Sequence, residues 1–137
     1  IMRFKGVDLM TPTEFEARAG ANNFKSSLSV LTDEIYEATK VRNLIITMGS
    51  DGVFIQKNYD ENLTQNTRTD QLEALSYDVI DVAGAGDVFL VTSSIVLRAG
   101  GNVWEAAYLG SIASALQVQC LGNTPVPLTE FIEKIES

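Results

Sequence analysis

Between Asn43 and Met48 the chain reads Leu44, Ile45 and Ile46 with no polar interruption, the pattern of a β-strand covered on both faces. A strand of that kind needs helices to cover it. The flanking sequence predicts one: Ser26 to Val41 places Leu28, Leu31, Ile35, Ala38 and Val41 at spacings of three and four, on one helical face. Gly49-Ser50-Asp51-Gly52 predicts a turn, and Val53 to Gln56 a hairpin partner. Upstream, Val7 to Met10 predicts a short strand. Thr11, with Pro12 at the first helical position and Glu14 three residues on, fits a capping box that opens a helix over 12–19, stopped by Gly20.

Tyr59 to Gln71 is polar and aperiodic, which predicts a solvated loop or irregular strand edges. Leu75 to Val82 predicts a further strand, and Gly84-Ala85-Gly86-Asp87 separates it from a buried helix over Val88 to Arg98, ended by Ala99-Gly100-Gly101. Asn102 and Glu105 make a second capping-box pattern, opening a long helix through about Gln119. Its small residues Ala106, Ala107, Gly110, Ser111, Ala113, Ser114 and Ala115 allow a neighbour to approach closely. Leu128 to Ile135 predicts a terminal amphipathic helix. No internal repeat is present. Strands alternating with helices predict an α/β layered structure with an antiparallel hairpin.

Composition removes several function classes. At 137 residues, 45% hydrophobic and 20% charged, the chain suits one globular domain rather than a disordered segment. Ten Lys and Arg against eighteen Asp and Glu leave a net charge of −8, which repels a phosphate backbone and argues against nucleic acid as a partner. With no His, neither a Ser-His-Asp nor a Cys-His nucleophile system can be built, nor a His-ligated metal site. Cys120, the single cysteine, reads as a small buried hydrophobe and cannot form an internal disulfide, compatible with a reducing, cytoplasmic setting. Apolar stretches such as Val88 to Leu97 are broken by Thr and Ser and too short to span a bilayer, so no membrane partner is expected. No signal-peptide pattern opens the sequence. It starts at Ile1, which reads as a piece of something longer.

The run Asp81-Val82-Ala83-Gly84-Ala85-Gly86-Asp87 carries the most chemistry. Two glycines flanking an alanine let backbone N–H groups face a ligand, and a following helix start adds partial positive charge. That dipole contributes about 0.3 to 2 kcal/mol per anionic group, so it assists a phosphate rather than holding it alone. Asp87 at the same terminus can accept a proton from a substrate hydroxyl as its oxygen attacks phosphorus. The residues equally suit a tight turn with Asp87 as a helix cap. A dinucleotide-binding G-x-G-x-x-G is not met, because Phe89 stands where the third Gly belongs.

Asp81 to Asp87, followed by Val88-Phe89, resembles the second signature of the PfkB carbohydrate kinase family, D-T-x-G-A-G-D-x-F, whose members share the ribokinase-like fold. Other segments agree in order. Leu44 to Val53 resembles that family's strand and turn beside the nucleotide. Ala106 to Leu121, followed by Gly122, resembles the helix and loop against adenine. Thr11-Pro12-Thr13-Glu14-Phe15-Glu16-Ala17 resembles the N-x-x-E region, most closely in the heptose-phosphate kinase branch.

The resemblance implies a ribokinase-like layered α/β fold, its C-terminal half, with a mostly parallel sheet flanked by helices and an antiparallel hairpin. Residues 1–137 would then form a single nucleotide-binding domain, a fragment of a longer kinase. It implies ATP and Mg2+ as cofactors and a sugar or sugar phosphate as the substrate whose hydroxyl is phosphorylated. Asp87 would be the catalytic base, and Gly84, Ala85 and Gly86 would offer N–H groups to the transferring phosphoryl. Glu14 would help hold magnesium through water, or bond the Thr11 amide as a capping carboxylate, roles that do not exclude each other. Thr47 and Gly49, with Ser50 and Gly52 of the same turn, would border the nucleotide, or simply form a hairpin turn. Ser111 falls near a position where many members put an Asn beside adenine, and Gly122 lies in the loop that follows. Trp104 reads as a packing anchor.

Three departures stand out. A Thr, Thr11 or Thr13 according to whether Glu14 or Glu16 is matched, replaces the Asn of N-x-x-E. Ala83 stands before Gly84, so a hydroxyl that could orient phosphate is missing. The family's N-terminal half, which supplies most of the sugar pocket and the lid, is not in this sequence, so that half is an expected partner and its loss would bare an apolar sheet edge. The alternative function is a catalytically silent nucleotide-binding or interaction module. A homodimer is compatible with the sequence, and the identity of the sugar is left open.

Overall fold

In the computed structural model, which describes residues 1–58, 68–75, 84–119 and 125–137, the unbroken apolar run forms β2 (Asn43–Thr47). It pairs in parallel with β1 (Leu9–Met10) and antiparallel with β3 (Val53–Lys57), which pairs antiparallel with β4 (Arg68–Leu72). The register sets Met10 beside Leu44, Ile45 beside Ile55, and Ile55 beside Asp70. Among the described residues the sheet is mixed, with one parallel pairing, the antiparallel hairpin that the sequence predicts, and a further antiparallel pairing to β4. β4 is a polar segment that joins the edge through its backbone.

The chain divides into two compact units, Ile1–Gly49 with Val53–Leu72, and Ser50–Gly52 with Glu73–Ser137. In the first, Met10, Leu44 and Ile46 on one sheet face form a core with Ala17 of α1 (Glu14–Ala21), Leu31 and Ile35 of α2 (Leu28–Thr39), and Val41. Ile45 and Ile55 on the opposite face are also fully buried, as the run without alternation requires. Each such side chain contributes about 1.5 to 3 kcal/mol on burial.

α1 starts two residues later than the expected 12–19. Thr47 N–H donates to Pro12 O at 2.9 Å and Thr13 forms a parallel bridge to Thr47, so the chain stays extended through Thr13. Pro12 also disfavours a helical Thr11. Of two overlapping T-x-x-E patterns the second is used: Glu16 N–H donates to Thr13 Oγ1 at 3.2 Å and Thr13 N–H to Glu16 Oε2 at 2.8 Å. The helix passes Gly20 and ends at Asn22, in the left-handed region with φ 52°. Ser27 caps α2, and Lys40 (φ 56°) ends it before Val41.

The second unit holds α3 (Ala85–Arg98), α4 (Val103–Val118) and α5 (Leu128–Glu136). α3 begins at Ala85 rather than Val88. The Ala99–Gly101 turn leads into α4, capped by Asn102 and Glu105 as the sequence predicts. α4 packs against α3 closely at Gly110, where a Cβ would lie 2.5 Å from Ser93 Oγ and 3.2 Å from the Phe89 ring. Most of the strand expected over Leu75 to Val82, together with Cys120, lies outside the described residues. Among those described, no helix is long and apolar enough to cross a membrane.

Candidate functional site

Gly84 sits in the left-handed region at φ 77°, a conformation that a side chain would oppose, and forms the N-cap of α3 with no side-chain cap bond. The first intrahelical bond runs from Val88 N–H to Gly84 O at 2.9 Å. The amides of Ala85, Gly86 and Asp87 therefore precede the helical ladder, at the positive end of its dipole. Beside Gly86 the space is open: a Cβ built there meets nothing within 4 Å. Asp87, at the third helical position, is exposed. Three amides and one solvent-facing carboxylate on a single turn can receive an anion and accept a proton. The preceding Asp81-Val82-Ala83 lies outside the described residues.

α4 supports this turn. Ser114 Oγ donates to Ala85 O at 2.8 Å, and two turns along α3 Ser93 Oγ donates to Ala106 O at 2.9 Å. Ser111, one turn before Ser114, is half-buried and donates its hydroxyl to Ala107 O of its own helix at 2.8 Å. The hairpin tip belongs to this same unit, with Ser50 exposed and Gly52 buried at φ 83°. Gly122 lies outside the described residues. Sequence reasoning passed over Ser114, counting it only among small residues; a hydroxyl inside that small-residue stripe was the available signal.

The first unit gathers Glu14, Thr47 and Gly49 at the C-terminal end of β2. The Thr13–Thr47 bridge brings the start of α1 there, and Gly49 is exposed at φ 59° with open space around it. Glu14 occupies the first helical position and does not cap Thr11, since Glu16 has that role toward Thr13. Instead its Oε1 accepts from Arg18 Nε at 2.8 Å, and Arg18 also donates to Ser26 O at 3.0 Å. The Thr13 amide, and then its hydroxyl, hold the Glu16 carboxyl below its ordinary 4.5. No group of three or more acidic, His or Cys side chains able to hold a metal occurs among the described residues. Magnesium keeps several waters and needs only one or two carboxylates beside phosphate oxygens. A single carboxylate such as Glu14, its Oε1 held by Arg18, would suit that role only through water.

The sequence model of the pfkB family carbohydrate kinases matches residues 2–129. Among curated proteins, the bifunctional protein HldE of Coxiella burnetii is 33% identical over 132 residues, covering 94% of this chain and 26% of its own length. HldE of Shewanella piezotolerans is 27% identical over 135 residues, covering 97% of this chain and 27% of its own length. The chain thus spans about a quarter of the length of these relatives. Ribokinase from Thermotoga maritima superposes with a TM-score of 0.79 at 24% identity, over 95% of this chain and 42% of that one. A Burkholderia thailandensis nucleoside kinase, solved with inosine, gives 0.71 at 27% identity, over 93% of this chain and 39% of that one. With a ribokinase-like fold and a family match over nearly all its length, the chain belongs to the pfkB family of carbohydrate kinases.

Proposed function

We propose that this chain is the nucleotide-binding part of a cytoplasmic kinase that transfers the γ-phosphoryl group of ATP to a hydroxyl of a sugar or sugar phosphate. The observation that carries the reading is the start of α3, where uncapped amides and exposed Asp87 share one turn. Asp87 accepts the proton of the attacking hydroxyl. The amides of Ala85 and Gly86, shaped by Gly84, face the charge that spreads over the phosphoryl oxygens. The family resemblance assigns Thr47, Gly49, Ser50 and Gly52 to the nucleotide phosphates and ribose, and Ser111 and Gly122 to adenine. Glu14 would hold magnesium through water, and the ion would supply neutralisation of phosphate charge. The rest of the polypeptide supplies the sugar pocket.

The test uses the complete protein with ATP, magnesium and a panel of sugars and sugar phosphates. Asp87→Asn is expected to cut kcat by about 10² to 10⁴, the usual contribution of a general base, with ATP affinity by titration calorimetry nearly intact. Wild-type turnover in that variant would remove Asp87 as the base. Nucleotide binding without phosphotransfer to any of the panel would favour a silent nucleotide-binding module.

A further inference from the structure

Resting on the reading of the Gly84–Asp87 turn as a phosphoryl cradle, we propose that Ser114 is a positioning residue that aims the Gly86 amide. Its Oγ donates to Ala85 O at 2.8 Å. A trans peptide unit is planar, so the Ala85 carbonyl and the Gly86 N–H lie in one rigid plane and point in opposite directions. Holding the oxygen therefore holds the hydrogen. Gly86 has no side chain to steady that plane, and the space beside it is open. The Ala85 carbonyl already belongs to the helical ladder of α3, and Ser114 adds a second restraint to it from behind, across the interface with α4. A hydrogen bond on the carbonyl also polarises the shared peptide and strengthens its N–H as a donor.

The bond is in register with the rest of the helix pair. Ala85 meets Ser114, Phe89 meets Gly110, and Ser93 meets Ala106, each step being four residues on both helices in opposite directions. Close approach at Gly110 leaves little freedom for sliding, so Ser114 reaches Ala85 because the pair is locked. Ser93 provides an internal control. It makes the same kind of bond across the same interface, but the peptide it touches carries none of the proposed donor amides.

In the complete protein, Ser114→Ala is expected to lower kcat about threefold to tenfold, the range for one neutral hydrogen bond, with KM for nucleotide and sugar unchanged. Ser114→Thr keeps the hydroxyl and restores kcat. Ser93→Ala is expected to lower Tm as Ser114→Ala does while kcat stays at the wild-type value. Wild-type kcat in Ser114→Ala, or an equal loss of kcat in Ser93→Ala, overturns the proposal. If Ser114→Ala does not fold, Ser114→Cys carries the test: a weaker donor should give reduced kcat with unchanged KM, and wild-type kcat overturns the proposal again. Asp87→Asn measured alongside separates the two ideas. Full turnover there defeats the phosphotransfer reading, whereas an impaired Asp87→Asn with an unimpaired Ser114→Ala defeats only the role of Ser114.

Discussion

Thr13 and Glu16 bond each other reciprocally at the start of α1, and both bonds to the Glu16 carboxylate favour its ionised form. Its native pKa lies below the ordinary 4.5, so the stabilisation is fully present above that value and is lost as pH falls through the lowered native value. Thr13→Ala is expected to cost about 1 kcal/mol at neutral pH, and the gap between Glu16→Gln and wild type should close in acid. Thermal melts across an acid series check both, and a gap that widens on acidification would contradict the assignment. Gly86→Ala makes a sharper test of the candidate site. With open space and a non-positive φ, it should keep or raise stability by up to about 1 kcal/mol. A methyl group at the mouth of the cradle should nonetheless cost about tenfold or more in kcat, and full turnover would show that no phosphate approaches there. The proposed base was legible through the resemblance of Asp81 to Asp87 to the family signature, since an acid after G-A-G alone suits a capped turn as well. Ser114 was not, because a sequence shows a hydroxyl but not the carbonyl it will meet.

At the scale of elements, Gly110 decides how near α4 comes to α3. Ala has the higher helix propensity by about 1 kcal/mol, yet its Cβ would lie 2.5 Å from Ser93 Oγ and 3.2 Å from the Phe89 ring. Gly110→Ala is therefore expected to destabilise by about 1 to 3 kcal/mol, measured by denaturant unfolding; a more stable variant would show that the interface yields easily. The cap of α4 was legible because Asn102 and Glu105 form an unambiguous pair. That of α1 was not, since two Thr-x-x-Glu patterns overlap and only the pairing of Pro12 and Thr13 with Thr47 chooses between them. β4 left no trace in side-chain pattern because an edge strand exposed along most of its length is held by its backbone. Val41 continued the apolar spacing of α2 past its end, since burial records which residues face the core and not whether the backbone is still helical.

For the molecule as a whole, the alternation of strand and helix was enough to indicate the layered fold and the Gly49–Gly52 turn the antiparallel hairpin, whereas the pairing of β4 had no such signal. On α3, Leu90, Val91 and Ile95 are 41%, 56% and 62% exposed, a surface prone to association. The isolated 137-residue chain is expected to self-associate on size-exclusion chromatography. Val91→Glu with Ile95→Lys should shift it toward monomer with little change in Tm, and a chain that is already monomeric would contradict the expectation. The matched spacing of α3 and α4 also limits how this stretch can vary. One residue inserted within α3, or within α4 before Ser114, would advance part of that helix past its partner by about 1.5 Å and rotate it by about 100°. The hydroxyl would then face a different carbonyl. Many letters in these two helices can be exchanged, but their number cannot, and a library of insertions and deletions should find the helices far less forgiving than a library of substitutions, with the Ala99–Asn102 turn between them the exception.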